Sequence, residues 1–286
     1  MLMGTSDSTF ALVAGAIAQK HNIPFVECGG TLPDLPDLVG DCLYMACFGD
    51  DVQAYAMANF AYSVLGAKTS WLFVDTATDY TVTLAKFYKE GFEKLAGAGA
   101  IVLEDTYQTS DVDYKAQISR LMSLSQMPDV LFVSSDPSST GSITKQIRDM
   151  GITAPIVSGD GFDTPLVIEY AGELANEVYF TTHVAWSSDN PLVSKFVTNY
   201  EKKCGVEPET AFAALGYDTV YLLADAIKRA GSTDPDAIKK ALSETRDLPG
   251  VTGEISYLNG SRVPNKSVTI MQIQKGEISF VQEIKP

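Results

Sequence analysis

Asp160 is a carboxylate between two glycines, in the stretch Gly159-Asp160-Gly161-Phe162-Asp163 that follows a short β-rich segment. An Asp-Gly pair is typical of a turn, and the local sequence favours this structural explanation about as strongly as a functional one. In the functional interpretation, the carboxylate is a fixed negative charge that binds the ammonium group of a ligand. Tyr80, Phe162 and Trp186 lie in neighbouring loops and could form an apolar wall beside it.

A second candidate site lies near the start of the chain. Residues 6–8 (Ser-Asp-Ser) precede an apolar helical pattern, and residues 29–31 (Gly-Gly-Thr) follow the next predicted strand. One of the first three residues would cap the helix, and exposed N–H groups there, with the Ser8 hydroxyl, could bind an anion. Gly29 permits a close backbone approach, and Thr31 adds a hydroxyl. Each signal alone is also common in turns.

Catalysis is poorly supported by the sequence. The two histidines, His21 and His183, lie in no recognisable motif with a nucleophilic Ser or Cys. Phosphate-binding, metalloprotease and nucleophile-elbow motifs are absent from the sequence, and His, Cys and carboxylates show no metal-ligand spacing. Asp136, which precedes Pro137, is more typical of a helix N-cap than of a site. We therefore predict no catalytic residue, no metal and no cofactor.

Composition limits the partners. Lys and Arg number 21 against 36 Asp and Glu, so the net charge is 21 − 36 = −15. Such a surface repels nucleic acid and anionic lipid, and we expect neither as a partner. No apolar segment approaches the roughly 18 residues that span a bilayer. Among the four cysteines, Cys42 and Cys47 are close enough in sequence to pair, which leaves a disulfide and the redox compartment open.

Short apolar segments alternate with amphipathic ones, which predicts an α/β fold with parallel sheets. The hydrophobicity of the strand-like segments is continuous, so we expect burial on both faces. Helices are predicted from Pro191 and around 217–231, where Val220, Leu223, Ile227 and Ala230 recur at helical spacing. The last segment predicts a hairpin that turns at Lys275-Gly276. The predicted strands are 23–27, 70–75, 100–104, 129–134, 155–158 and 177–182.

This number of strands favours two sheets and two lobes. Ligands of open α/β sheets bind at the carboxyl ends of the strands, so the candidate loops are those that follow each strand.

Several segments, in order, resemble the type I periplasmic binding proteins of the leucine/isoleucine/valine-binding group, which are solute receptors of ABC importers. They begin with Gly-x-x-x-Ser at 4–8 and cover essentially the whole chain. The other matching segments are 17–35, 73–92, 128–152, 155–163, 212–231 and 250–263.

The resemblance implies two Rossmann-like lobes that are joined by three hinge strands and close on a small ligand. It places the first lobe at 1–49 plus 184–256 and the second at 50–183 plus 257–286. Hinge crossings are expected near 49–51, 183–185 and 254–265.

Site residues follow from the resemblance one by one. Ser8 and Thr31 correspond to the side chains that receive an amino acid carboxylate, Gly29 corresponds to a backbone contact in the same loop, and all three are expected to hold that carboxylate. Tyr80 corresponds to a pocket tyrosine and Asp160 to the acidic residue that takes the α-ammonium. Asp136 stands where another pocket aromatic is common, which changes the expected preference for the ligand side chain. Phe48, Phe162 and Trp186 are expected to line the pocket.

Family members begin with two βα units before the segment that aligns with "MLMG". By this comparison the chain is truncated, "MLM" ends a strand, and the first lobe lacks those units, unless a partner chain supplies them. The resemblance thus predicts a periplasmic or extracytoplasmic protein whose signal segment is not present here. It binds an amino acid or similar zwitterion and delivers it to an ABC transporter permease, without inserting into the membrane. The alternatives are a ligand-sensing receptor domain on the same fold and, less favoured, an α/β enzyme such as an amide hydrolase.

Overall fold

The structure is a computed structural model that describes residues 1–285. The chain divides into two compact units, each built from segments that are separate in the sequence. Unit 1 consists of Met1–Gly49 and His183–Ser267, and unit 2 of Asp50–Thr182 and Val268–Ile284. Helices and strands alternate through most of the chain, which confirms the predicted α/β class.

The element bounds locate every loop discussed below. Two short 3-10 helices, Asp160–Phe162 and Gly172–Leu174, flank the seventh α-helix. In chain order the elements are β1 (Leu2–Met3), α1 (Ser8–Lys20), β2 (Phe25–Glu27), α2 (Leu35–Val39), β3 (Leu43–Met45), α3 (Asp50–Ser63), β4 (Ser70–Asp75), α4 (Asp79–Ala96), β5 (Ile101–Tyr107), α5 (Lys115–Met122), β6 (Val130–Ser134), α6 (Pro137–Asp149), β7 (Ile156–Ser158), α7 (Leu166–Ala171), β8 (Val178–Thr182), α8 (Pro191–Cys204), α9 (Phe212–Ala230), α10 (Pro235–Ser243), β9 (Val268–Gln274) and β10 (Glu277–Ile284).

Unit 1 contains a parallel sheet of order β1-β2-β3 within the described residues. The side chains of Phe25 and Leu43 are fully buried and form a core with Ala11 and Ala18 of α1. Helix α8 begins with Pro191 in its first turn, as predicted, and ends at Gly205 in the left-handed conformation. This sheet therefore places the ends of β1 and β2 beside the start of α1.

Unit 2 contains a sheet of order β10-β9-β8-β7-β6-β4-β5. Strands β4 to β8 pair in parallel, and β9 pairs antiparallel with β8 and β10. The β9–β10 hairpin turns at Lys275 and Gly276, both with positive φ as a two-residue type I′ turn requires. That predicted turn is confirmed. The core includes Tyr88, whose ring stacks on Phe132 with centroids 3.7 Å apart.

Two predictions of burial are wrong in part. Strand β5 is not buried on both faces, because it lies at the edge of its sheet, and Val102 and Glu104 are exposed. In α9, Leu223 is buried, but Val220 is 50% exposed, since the buried face of the helix runs through Asp218, Leu222 and Ala226 instead.

Residues 257–267 lie in unit 1, whereas the sequence-based division assigned them to the second lobe. Two contacts tie this segment to the end of β3: the Tyr257 hydroxyl donates to the Met45 carbonyl at 2.8 Å, and Lys266 Nζ donates to the Ala46 carbonyl at 3.0 Å.

All four cysteines lie within the described residues and none of them is disulfide-bonded, so Cys42 and Cys47 do not pair. Among residues 1–285, no helix combines the length and the apolar character needed to cross a membrane.

Candidate functional site

In unit 2, Asp160 lies directly after β7, at the start of the 3-10 helix, and is only 2% exposed. Its Oδ1 accepts a hydrogen bond from Gln53 Nε2 at 2.9 Å, and its backbone N–H donates to Gln53 Oε1 at 3.0 Å. Gln53 lies in the first turn of α3 and is fully buried. Because this amide is neutral, its contact fixes the position of the carboxylate and leaves its charge in place.

Glycine is required on both sides of Asp160 because Tyr80 and its neighbours lie too close to the backbone to leave room for a side chain. The Gly161 N–H donates to the Tyr80 hydroxyl oxygen at 2.8 Å. A Cβ on Gly161 would lie 2.5 Å from the Ser135 carbonyl oxygen, and one on Gly159 would lie 2.6 Å from a Leu84 methyl group. The structure thus brings together the loops that follow β4, β6 and β7, which the sequence identified as candidates.

Tyr80 is a neutral phenol in this environment. Burial raises the pKa of Tyr80 well above its usual value, and the nearby negative charges of Asp160 and Asp50 raise it further. A hydrogen bond with the Asp160 carboxylate acts in the same direction. The hydroxyl therefore accepts from Gly161 and donates toward Asp160, so it holds the backbone and the carboxylate of this loop together.

Two further predicted residues lie in unit 2. Phe162 is fully buried in the same 3-10 helix as Asp160. Asp136 caps α6, where its Oδ1 accepts from the Ser138 N–H at 2.9 Å and from the Ser138 hydroxyl at 2.6 Å. The favoured N-cap interpretation of Asp136 is confirmed.

In unit 1, Ser8 connects the start of α1 to the loop that contains Thr31. Its Oγ accepts a hydrogen bond from the Leu32 N–H at 3.1 Å, and both Ser8 and Thr31 are 1% exposed. Asp7 is the residue that caps α1, because its carboxylate accepts from the Phe10 N–H at 3.0 Å. Ser8 is then free of the capping role, and its hydroxyl proton can be donated to an anionic group.

Glu27, which the sequence did not identify, lies at the centre of these unit 1 loops. It is the last residue of β2 and is fully buried. Its Oε1 accepts from the N–H groups of Ser6, Gly29 and Gly30 at 2.7, 3.1 and 2.9 Å. The N–H groups of Ser6 and Gly29 are therefore not available to an external anion.

The remaining predicted aromatics lie in unit 1. Phe48 is fully buried and stacks on His183, with ring centroids 3.9 Å apart. Trp186 is half-buried and stacks on Phe196 of α8 at 5.9 Å. Phe212, at the start of α9, contacts the His183 ring edge-on at 5.9 Å. It also limits the space at Gly29, where a Cβ would lie 2.7 Å from the Phe212 ring.

Comparison with known proteins identifies the family. Residues 1–277 match the family model that is described as a periplasmic binding protein. The chain belongs to this family. The resemblance noted in the sequence is confirmed, and the chain is a binding protein rather than an enzyme.

Three relatives illustrate the similarity. The Leu/Ile/Val-binding protein BraC3 of Rhizobium johnstonii is 23% identical over 280 residues, which are 97% of this chain and 74% of that protein. The leucine-binding protein LivK of Thermotoga maritima has a TM-score of 0.91 and 34% identity, over 99% of this chain and 79% of that chain. LivJ of Streptococcus pneumoniae, a branched-chain amino acid transporter substrate-binding protein solved with isoleucine, has a TM-score of 0.90 and 30% identity, with the same coverage.

Proposed function

We propose that this chain is an extracytoplasmic solute-binding protein that captures a branched-chain amino acid, or a similar small zwitterion, for an ABC importer. The family supports solute binding, and LivK and LivJ support an amino acid as the ligand. The proposed recipient is the membrane permease of an ABC transporter, and LivJ, as the substrate-binding protein of a branched-chain amino acid transporter, supports a transport role.

The observation that carries the proposal is the environment of Asp160. A buried carboxylate costs free energy unless a partner offsets its lost hydration. Gln53 and Tyr80 both orient it at the carboxyl end of β7, where ligands of α/β sheets bind. The ammonium group of an amino acid supplies the positive charge that such a carboxylate favours, through charge-assisted hydrogen bonds.

The carboxylate of the ligand is assigned to unit 1. The hydroxyl groups of Ser8 and Thr31 donate to it, and the N-terminus of α1 adds a favourable dipole.

The side chain of the ligand is assigned to Tyr80, Phe162, Phe48 and Trp186, which supply apolar area. Asp136 stands where the family commonly has an aromatic residue. In this proposal it makes the preference for the ligand side chain more polar than that of typical relatives.

A thermal-shift comparison tests the proposal. The purified chain is heated with leucine, with 3-methylbutylamine, which lacks the carboxylate, and with 4-methylpentanoate, which lacks the ammonium. A ligand that binds the folded state raises the melting temperature by mass action. We expect a shift with leucine and none with either analogue at the same concentration. Equal shifts with the amine and leucine, or no shift with any amino acid of the standard set, would contradict the proposal.

A further inference from the structure

In unit 1, the Glu27 carboxylate accepts hydrogen bonds from the backbone of two loops. Its Oε1 accepts three backbone N–H groups, from Ser6, Gly29 and Gly30. Its Oε2 accepts the N–H of Thr5 at 2.6 Å and the hydroxyl of Thr5 at 3.2 Å. Consecutive N–H groups from each loop therefore converge on one carboxylate, in an arrangement that resembles an anion-binding nest.

The loop before α1 adopts a conformation that needs such support. Ser6 has φ of +69° and Gly4 has φ of +98°, both in the left-handed region. A non-glycine residue there costs about 1 kcal/mol or more and persists only when its surroundings determine it. The N–H donations from Thr5 and Ser6 to Glu27 help to hold this backbone in place. The Gly4 N–H also donates to the Val26 carbonyl at 3.2 Å. The Thr5 hydroxyl donates to the Asp7 carbonyl at 2.9 Å.

The second loop packs directly against the first. A Cβ on Gly30 would lie 3.1 Å from the Ser8 backbone nitrogen and 3.3 Å from the Glu27 carboxyl carbon. The Leu32 N–H reaches Ser8 Oγ from the same loop. Glu27 thus lies between the segments that carry Ser8 and Thr31, and it fixes the spacing between them.

We propose that Glu27 is a positioning residue for the ligand carboxylate: it occupies the N–H groups of residues 5, 6, 29 and 30 and thereby sets the geometry of Ser8 and Thr31. This inference rests on the function proposed above. Because those N–H groups are already used, the ligand carboxylate is left with the hydroxyls and the first N–H groups of α1. Glu27 itself does not contact the ligand.

The test removes the internal carboxylate and then returns one. Glu27→Ala opens a cavity, and Glu27→Gln keeps the volume but turns an amide NH₂ group toward N–H donors. Leucine affinity is measured by calorimetry, with and without sodium formate. We expect both variants to weaken binding by about 10- to 100-fold, by analogy with the loss caused by removing residues that orient the ligands of a metal ion. Formate should restore most of the affinity of Glu27→Ala and none of Glu27→Gln, where the space is filled. The control is Glu201→Gln, an exposed change in α8 that should bind as the wild type does.

A second readout separates this inference from the proposed function. In NMR spectra, the amide proton resonances of Ser6, Gly29 and Gly30 should all shift in Glu27→Ala and return to their wild-type positions when formate is added. This should happen whether or not the protein binds leucine. If wild-type protein binds no amino acid but the signals behave in this way, the proposed function fails and the loop-fixing role of Glu27 stands without its ligand. Unchanged affinity in Glu27→Gln, or lost affinity in Glu27→Ala without recovery in formate, would overturn the inference. Should Glu27→Ala fail to fold, Glu27→Gln still tests the inference through its loss of affinity and the joint shift of the three amide signals, both unchanged by formate.

Discussion

Gln53 contacts Asp160 at two points, with its side-chain nitrogen on the carboxylate and its side-chain oxygen on the backbone N–H. The same oxygen accepts the Thr181 hydroxyl at 2.6 Å, so β8 also fixes its orientation. A neutral buried amide therefore determines where the proposed ammonium-binding charge lies. Substituting Gln53 can therefore change the position of the Asp160 carboxylate without changing its charge. The effects of position and of charge on ligand binding can then be measured separately.

Replacing Gln53 with leucine should weaken both folding and binding. The Asp160 N–H and the Thr181 hydroxyl would lose their buried acceptor, at a cost of about 1–3 kcal/mol in the free energy of unfolding. Leucine affinity should fall about 10-fold because the carboxylate loses one of its orienting contacts. Urea denaturation and calorimetry measure the two effects. Gln126→Leu, an exposed change in the same unit, is the control and should alter neither.

Gly161→Ala should destabilise the loop that carries Asp160. The added methyl group would meet the Ser135 carbonyl oxygen at 2.5 Å, so backbone must shift, at a cost of about 1–3 kcal/mol. Gly216→Ala is the opposite case, because that glycine lies inside α9 and an added methyl group would enter open space. We expect it to stabilise the protein by about 0.5–1 kcal/mol. Melting temperatures of both variants give the comparison, and destabilisation by both would contradict it.

Because of Lys266, the free energy of unfolding should vary with pH in the alkaline range. Burial lowers the pKa of Lys266 from its usual value near 10.5 to about 8, against the raising effect of Asp218. Between pH 8 and 10.5 the unfolded chain therefore binds more protons at this residue than the folded chain does. The contribution of Lys266 to stability then rises with pH, by at most about 1.4 kcal/mol per pH unit.

The comparison of wild type with Lys266→Met isolates this effect, because the other titrating groups are common to both proteins. Urea denaturation at pH 7.5, 8.5 and 9.5 should show the wild type gaining stability relative to the variant. A difference that is constant over this range would show that the folded-state pKa is not lowered.

The four thiols should differ in reactivity. Cys204 is exposed, whereas Cys28, Cys42 and Cys47 are buried, and burial raises the pKa of Cys28 to about 12. Because the thiolate is the reactive species, maleimide at pH 7 should label Cys204 quickly in the native protein and all four after denaturation. Intact mass spectrometry counts the labels. Two labels in the denatured, unreduced protein would instead indicate a disulfide.

The fold class and the hairpin were predictable because they depend on local patterns. Continuous apolar segments such as 70–75 coincide with β4, and Lys275-Gly276 forms the expected turn. Edge position is a property of the whole sheet, so the exposure of β5 was not predicted. Strand β3 was missed because it is three residues long and has no strong boundary signal.

The part of the candidate site around Asp160 was predictable because a tight backbone fit and a charged side chain occur in the same short segment. The Gly-Asp-Gly sequence reflects the close approach of Tyr80 and Ser135, and both glycines are visible in the sequence. Glu27 and Gln53 were missed because their roles come from contacts between residues distant in the sequence. The one signal available was a charged residue at the end of an otherwise apolar strand, with a Gly-Gly pair beginning two residues later, as at Glu27.

Calorimetric titration of leucine into wild-type protein and into Asp160→Asn tests the central claim most directly. Asparagine keeps the size and hydrogen-bonding shape of the side chain but removes the charge that would hold the ammonium group. We expect one leucine bound per wild-type chain and an affinity at least about 10- to 100-fold lower in the variant, as the loss of a charge-assisted hydrogen bond implies. Asp149→Asn, a surface change in α6, should bind as the wild type does. Equal affinity in Asp160→Asn and wild type would contradict the assignment of Asp160 as the ammonium-binding residue.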